Sequence, residues 1–214
     1  MLFKQLNKNF PLLVTISKKH EFAWFRMPKV ASSSIKENFR NLVNEELNLK
    51  KRVKSINVKN NYFKFTFVRN PWDRIASCHR QKIENSWKYA YKRADSSSKK
   101  LKSKGLNFKN NELTLNEFLI LLEKGNNRFY NIHWAPQTSI VDIDKMDFIG
   151  RFENLEEDWK YVCKKIGIDQ FELPHKLQTK PKDQSYRDYY KDQESIDIVS
   201  RIYAEEIKRF NYKF

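Results

Sequence analysis

A seven-residue segment near the start of the chain carries the residue types that bind phosphate or sulfate. Residues 28–34 (PKVASSS) follow the aromatic run 22–25 and precede a helical pattern that begins at Ile35. A helix N-terminus offers unpaired backbone N–H groups and a partial positive charge, the serine hydroxyls add donors, and Lys29 adds a full charge. The segment therefore predicts an anion-binding loop. Because it contains no glycine, it is not the nucleotide-triphosphate loop G-x-x-x-x-G-K-(S/T).

A second segment of this kind follows the run 63–68, whose alternating aromatic and β-branched residues are typical of a strand. The residue before a proline is pushed out of the helical region, so Asn70 ends the strand, and Pro71 suits the first turn of a helix. Arg69 is then expected at the C-terminal end of the strand, with Ser77 two turns into the helix. A planar guanidinium and a hydroxyl that converge there could hold a second phosphate.

These two segments need a scaffold, and the pattern along the chain indicates alternating strands and helices. Strands are predicted at 12–16, 21–27, 62–68 and 148–152, and helices at 33–50, from 71, from 115, after 154 and at 195–210. Thr114 and Glu117 have the spacing of a capping box. The alternation favours an α/β fold with a parallel sheet flanked by helices, which binds its ligands at the C-terminal ends of the strands.

The composition is consistent with a single domain, 1–214, that has polyanionic partners. Two cysteines are too few for a disulfide framework, and the net charge is +16. An excess of lysine can also reflect solubility alone. The stretch 88–111 predicts a mobile basic insertion, either a solvated loop or a lip that binds an acceptor. Its basic residues include Lys88, Lys92, Arg93, Lys99, Lys100, Lys102 and Lys104.

Together the motifs resemble those of the sulfotransferases that use 3′-phosphoadenosine 5′-phosphosulfate (PAPS), in the carbohydrate branch that contains the chondroitin and HNK-1-like enzymes. The family pattern P-K-x-x-(S/T)-(S/T)-(S/T) matches residues 28–34, and R-(N/D)-P-x-x-R-x-x-S matches residues 69–77. The likeness continues through 133–134, 147–158, 202–203 and 210–212, so it covers nearly the whole chain in the family's order. It implies a P-loop-like three-layer fold with a central parallel sheet, and sulfuryl transfer from PAPS to a carbohydrate hydroxyl.

The resemblance also implies which residues bind the donor and its product, 3′,5′-adenosine bisphosphate. The 5′-phosphosulfate would be held by Lys29, Val30, Ala31, Ser32, Ser33 and Ser34. The 3′-phosphate would be held by Arg69 and Ser77. A later loop closes over the nucleotide in family members, so Lys180 and Tyr186 are expected to contact the 3′-phosphate or the adenine. Trp72 and Trp134 are both candidates for stacking on the adenine.

Sulfuryl transfer needs a base for the acceptor hydroxyl and a positive charge beside the leaving oxygen. Lys29 is the candidate for the leaving oxygen, because its loop would hold the phosphosulfate. His133 is the candidate base, since the chondroitin-type branch has the same His-Trp pair and an imidazole titrates near neutral pH. His79 and Glu84 remain alternative bases. The histidines and cysteines lack the spacing of metal ligands, so we predict no metal site.

Two other functions share features with this chain. A P-loop kinase shares the architecture but needs a glycine-rich loop and a hydroxyl residue after the lysine. A nucleic-acid-binding module would explain the charge, but it predicts exposed aromatics across a basic face rather than motifs at strand ends. We expect a glycan or glycoside acceptor, with an acidic acceptor favoured by the net charge, and no nucleic-acid partner. Because no apolar run reaches the length of a signal peptide or a membrane span, the sequence predicts a cytoplasmic, bacterial enzyme without a transmembrane segment.

Overall fold

The computed structural model of the protein describes residues 12–42, 51–53, 58–81, 113–124, 131–169 and 185–214. The basic insertion predicted at 88–111 and the candidate Lys180 lie outside them. The chain divides into two compact units: the first is drawn from 1–70, 131–177 and 205–213, the second from 71–130, 178–204 and residue 214. Each unit is described separately below, and the single domain 1–214 stays a prediction.

The first unit contains a mixed β-sheet. Its strands among the described residues are β1 (Leu12–Ser17), β2 (Phe22–Phe25), β3 (Lys51–Val53), β4 (Phe63–Val68) and β5 (Phe148–Arg151). They lie in the order β3-β1-β2-β4-β5, and β2, β4 and β5 run parallel. The prediction of a parallel sheet is wrong for β1 and β3, which pair antiparallel. Four residues, 18–21, connect β1 to β2, and so short a connection can join only antiparallel strands.

The parallel strands bring three chain segments to one edge of the sheet. Trp24 of β2 is opposite Phe65 of β4, and Phe67 of β4 is opposite Gly150 of β5. A side chain on Gly150 would collide with the ring of Phe67, so this strand pair needs a glycine there. Because parallel strands all end at the same edge, the residues that follow β2, β4 and β5 emerge together.

The helices of the described residues lie in both units. They are α1 (Ser32–Leu42), α2 (Pro71–His79), α3 (Leu115–Glu123), α4 (Gln137–Ile140), α5 (Leu155–Lys165), α6 (Gln193–Ile202) and α7 (Ala204–Phe210). Three single 3₁₀ turns span Ile143–Lys145, Phe152–Asn154 and Arg187–Tyr189. None of these helices is long and apolar enough to cross a membrane.

In the first unit, aromatic side chains fix α1 and α5 to each other and to the sheet. The ring of Phe39, on α1, stacks on Phe22 of β2 with centroids 5.0 Å apart. It also meets Trp159 of α5 edge to face at 5.2 Å. Phe22, Phe39 and Trp159 are all buried. Because α1 begins at Ser32, within residues 28–34, this packing also fixes one end of the predicted anion-binding loop.

The second unit is built around α2, which is buried along its whole length. The Trp72 indole donates to the carbonyl of Ile196 on α6 at 3.1 Å, and the Tyr190 hydroxyl donates to the carbonyl of Trp72 at 2.8 Å. The capping box predicted for α3 is confirmed: the Thr114 side chain accepts from the Glu117 N–H, and the Glu117 carboxylate accepts from the Thr114 N–H.

Candidate functional site

The Lys29 loop, residues 28–34, follows β2, includes the first turn of α1 and has an unusual backbone path. Lys29 has φ +70° and Ala31 has φ +58°, whereas Val30 between them has no positive φ. Each left-handed residue other than glycine costs about 1–2 kcal/mol. Where residues alternate between negative and positive φ, neighbouring backbone N–H groups can turn towards one side, an arrangement that binds anions in many proteins. The Lys29 loop therefore carries, with strain, positive φ values of the kind that glycine usually provides.

Interactions at both ends hold the Lys29 loop in this shape. The Val30 side chain is completely buried, and the Ser32 hydroxyl donates to the carbonyl of Met27. The carbonyl of Ala31 accepts from the N–H groups of Ser34 at 3.0 Å and Ile35 at 3.1 Å, so Ala31 is the N-cap of α1. Of the predicted donor-binding residues, Val30 can therefore offer only its main chain.

The Arg69 corner, Arg69 and Asn70, follows β4 and touches the Lys29 loop. Nη1 of Arg69 donates to the carbonyl of Lys29 at 3.0 Å. The guanidinium also lies over the ring of Phe152, with Cζ 3.9 Å from the ring centroid, and Arg69 is only 6% exposed. The structure thus brings together Lys29 and Arg69, which are forty positions apart in the sequence.

The main chain of Arg69 is held by a buried glutamine that the sequence analysis missed. Gln137 accepts from the Arg69 N–H through Oε1 and donates to the Arg69 carbonyl through Nε2, both at 2.9 Å. Gln137 in turn donates to Glu206 from its backbone N–H at 2.5 Å and from Nε2 at 3.1 Å. Gln137 and Glu206 are both completely buried. The position of Gln137 in the segment that carries His133 could have drawn attention to it. The sequence gives no such indication for Glu206.

Asn70 is fixed by Glu153, which lies in a further segment of the family resemblance, and by Lys213, which directly follows another such segment. Its N–H donates to Oε1 of Glu153 at 2.6 Å, and its side-chain amide donates to the carbonyl of Lys213 at 2.9 Å. The Tyr212 hydroxyl donates to the other oxygen of Glu153 at 3.3 Å. Burial, and next the negative charge of Glu153, raise the pKa of Tyr212 well above its ordinary value. These segments therefore support the Arg69 corner.

His133 is partly exposed, and one neighbour determines where its ring proton lies. Oδ1 of Asn131 is 3.0 Å from the backbone N–H of His133 and 2.6 Å from its Nδ1. A backbone N–H can only donate, so the Asn131 atom must be the oxygen, and Nδ1 must carry the proton that points to it. In the neutral ring, Nε2 then bears the lone pair. This is the nitrogen that could take a proton.

His79, the alternative histidine base, is buried in the second unit with both nitrogens engaged. Nε2 is 2.8 Å from the carbonyl of Leu113, which can only accept, so Nε2 carries the proton. Nδ1 then accepts from the Tyr189 hydroxyl at 2.6 Å. This arrangement is that of a satisfied structural histidine and leaves His133 as the better candidate. The other alternative, Glu84, lies outside the described residues.

The remaining candidates are placed as follows. Ser77 lies on α2 in the second unit and is 2% exposed. Tyr186, also in the second unit, meets Phe214 edge to face at 5.9 Å, and the Arg187 guanidinium lies 4.9 Å from the centroid of its ring. Trp72 is buried, whereas Trp134, in the first unit, is partly exposed. The part of the chain that the structure describes shows no group of three or more potential metal ligands.

A strained loop after one parallel strand and an arginine after the next define an α/β protein with a candidate site for an anionic ligand. A family model described as "Sulfotransferase family" matches residues 13–213, so the chain belongs to the sulfotransferase family. This match confirms the resemblance given by the motifs. It lends no support to a kinase or to a nucleic-acid-binding module.

Individual relatives are distant. The chain is similar to carbohydrate sulfotransferase 14 of Danio rerio, with 26% identity over 179 residues, 73% of this chain and 49% of the relative. Carbohydrate sulfotransferase 10 of Xenopus laevis is 26% identical over 242 residues, 94% of this chain and 67% of the relative. An uncharacterized protein of Archaeoglobus fulgidus is 33% identical over 128 residues, 59% of this chain and 83% of the relative. The chain spans about half the length of the Danio rerio enzyme. No solved structure matches it.

Proposed function

We propose that the protein transfers the sulfuryl group of PAPS to a carbohydrate hydroxyl. The observation that carries the proposal is the hydrogen bond from Arg69 to the carbonyl of Lys29, which joins two anion-binding segments at one edge of the sheet. A nucleotide with phosphate groups at both ends of its ribose needs two such segments close together. The names of the two vertebrate relatives support a carbohydrate as the acceptor.

The residues present fit this donor. The backbone of the Lys29 loop, with positive φ at Lys29 and Ala31, suits the phosphosulfate. The planar guanidinium of Arg69 suits the 3′-phosphate, because it can present two parallel N–H donors. The roles predicted for Ser77, Lys180 and Tyr186 stay predictions.

In the proposed reaction, the acceptor oxygen forms a bond to sulfur while the bond from sulfur to the bridging phosphate oxygen breaks. Lys29 offsets the negative charge that develops on that bridging oxygen. His133 takes the acceptor's proton on Nε2, and Asn131 keeps the ring in the tautomer that leaves this nitrogen basic. The products are a sulfate ester and 3′,5′-adenosine bisphosphate. None of these steps uses a metal ion.

Three finer points belong to the same proposal. The β2–loop–α1 unit is the strand, loop and helix of a P-loop-like architecture, and helices on both faces of the sheet would complete its three layers. The high lysine content favours an acidic glycan as the acceptor. The cytoplasmic, bacterial location stays a prediction.

A thermal shift measurement tests the nucleotide site without knowledge of the acceptor. We expect saturating 3′,5′-adenosine bisphosphate to raise the Tm by several degrees, because a ligand at a hundred times its Kd stabilises the folded state by about 2.7 kcal/mol. ATP with magnesium, which has no 3′-phosphate, should raise it much less. Equal shifts, or no shift with either nucleotide, would contradict the proposal.

Replacement of His133 by alanine separates binding from transfer. The His133→Ala variant should bind 3′,5′-adenosine bisphosphate as the unchanged protein does, because His133 has no proposed role in donor binding. Its transfer of ³⁵S from labelled PAPS to a panel of polysaccharides should fall by about 10²- to 10⁴-fold. Full transfer activity would remove His133 from the reaction and direct attention to a carboxylate.

A further inference from the structure

A buried carboxylate, Glu206, stands at the start of a hydrogen-bonded series that ends at the guanidinium of Arg69. Glu206 accepts from Gln137, Gln137 pairs with both main-chain groups of Arg69, and the Arg69 side chain donates to the carbonyl of Lys29. Glu206 comes from α7 near the C-terminus, 137 positions after Arg69, and is 0% exposed. No step of the proposed reaction uses it.

The contacts to Glu206 and those to the Arg69 main chain require the same orientation of the Gln137 amide. The Gln137 atom 3.1 Å from Oε1 of Glu206 is the NH₂ group, which donates to the carboxyl oxygen. The second hydrogen of that NH₂ group then faces the carbonyl of Arg69, and the amide oxygen faces the Arg69 N–H. If the amide were reversed, its NH₂ group would face the Arg69 N–H and its oxygen would face the Arg69 carbonyl, and neither pair could form a hydrogen bond. Glu206 thus reinforces the one orientation that can hold the Arg69 main chain.

Because Gln137 holds the Arg69 main chain, the Arg69 side chain extends from a fixed position. The guanidinium then has two further supports, the carbonyl of Lys29 at 3.0 Å and the ring of Phe152 at 3.9 Å. A misplacement of about 1 Å in a binding group can cost about 100-fold in function. We infer that Glu206 and Gln137 are positioning residues that set the affinity of Arg69 for the 3′-phosphate of the donor. The inference rests on the proposed function.

The test compares two nucleotides that differ only in the 3′-phosphate. Isothermal titration gives the Kd of 3′,5′-adenosine bisphosphate and of adenosine 5′-phosphate for each variant. In Glu206→Gln, we expect the preference for the bisphosphate to fall about 10-fold, while the affinity for adenosine 5′-phosphate changes by less than about 2-fold. The matched control is Glu205→Gln, because Glu205 is the exposed neighbour on the same helix. It should leave both affinities unchanged.

A double-mutant cycle and a second variant make the test decisive. In an Arg69→Ala background, Glu206→Gln should cause no further loss of preference, because the two act on one contact. If Glu206→Gln does not fold, Glu206→Asp keeps a carboxylate that can accept from Gln137 but shortens its reach, so fewer buried groups lose a partner. This variant should show a loss of preference in the same direction.

The outcomes distinguish the inference from the proposed function. A folded Glu206 variant with the original preference, or with equal losses for both nucleotides, would overturn the positioning role alone. If the unchanged protein itself shows no preference for the bisphosphate, the proposed function fails first and the inference with it.

Discussion

The Lys29 loop and the Arg69 corner both follow parallel strands of one sheet, yet they are held in opposite ways. The loop is partly exposed and has two non-glycine residues with positive φ. The corner is almost fully buried, and its main chain and side chains are paired with Gln137, Glu153 and Lys213. One site is shaped by backbone strain and the other by buried hydrogen bonds.

This difference corresponds to two tasks in the proposed reaction. The 3′-phosphate keeps its charge throughout, so a rigid, buried guanidinium serves it well. The bridging oxygen gains charge only as the sulfur–oxygen bond breaks, so Lys29 should stabilise the transition state more than the bound donor. We therefore expect changes in the loop to affect turnover, and changes in the corner to affect stability and affinity.

The largest expected effect comes from Lys29→Ala. The rate of ³⁵S transfer from labelled PAPS should fall by about 10³-fold, because the variant loses the charge that meets the leaving oxygen. The affinity for 3′,5′-adenosine bisphosphate should fall by no more than about 10-fold. The exposed lysine of β4 provides the control: Lys64→Ala should transfer at the original rate. A loss shared equally between affinity and turnover would contradict the division of tasks.

A smaller but clear effect is expected in stability when the two sites are altered in parallel. Gln137→Ala should lower the free energy of unfolding by about 3 kcal/mol or more, because it removes the side-chain amide that pairs with the main chain of Arg69 and with Oε1 of Glu206. Ala31→Gly should change it by less than about 1 kcal/mol, since the relief of backbone strain offsets the greater entropy of the unfolded chain. Chemical denaturation measures both. Equal effects would show that the two sites are held alike.

The smallest effect concerns alkaline pH and the tyrosine that supports the corner. Burial raises the pKa of Tyr212, so its neutral form is favoured by folding. This contribution to stability is complete below about pH 10, the ordinary value for tyrosine, and is lost as the pH rises above it. Above about pH 10, the free energy of unfolding should fall less steeply in Tyr212→Phe than in the unchanged protein, by about 1 kcal/mol per pH unit. An unchanged slope would contradict the role of Tyr212. Tyr161→Phe, on the exposed face of α5, is the control.

The sequence predicted the parts of the site that depend on local patterns. The Lys29 loop and Arg69 were located correctly at strand ends, because an apolar run that meets a polar segment or an Asn-Pro pair is a local signal. The antiparallel pairing of β1 was missed, although the four-residue connection at 18–21 is a local signal that requires it. The positive φ values at Lys29 and Ala31 were missed too, since no glycine marks them.

The supports of the corner could not be read from local patterns. Glu205 and Glu206 are adjacent and chemically identical, yet one is exposed and the other fully buried. Only the tertiary fold, which brings Gln137 to Glu206, distinguishes them. Long-range pairs between buried polar groups leave no periodic signature, so this part of the site became visible only in three dimensions.

The most direct test of the account is the structure of the protein in complex with 3′,5′-adenosine bisphosphate. The account predicts the 5′-phosphate against the backbone N–H groups of the Lys29 loop and the 3′-phosphate against the guanidinium of Arg69. A nucleotide bound elsewhere, or bound with its 3′-phosphate out of reach of Arg69, would contradict it.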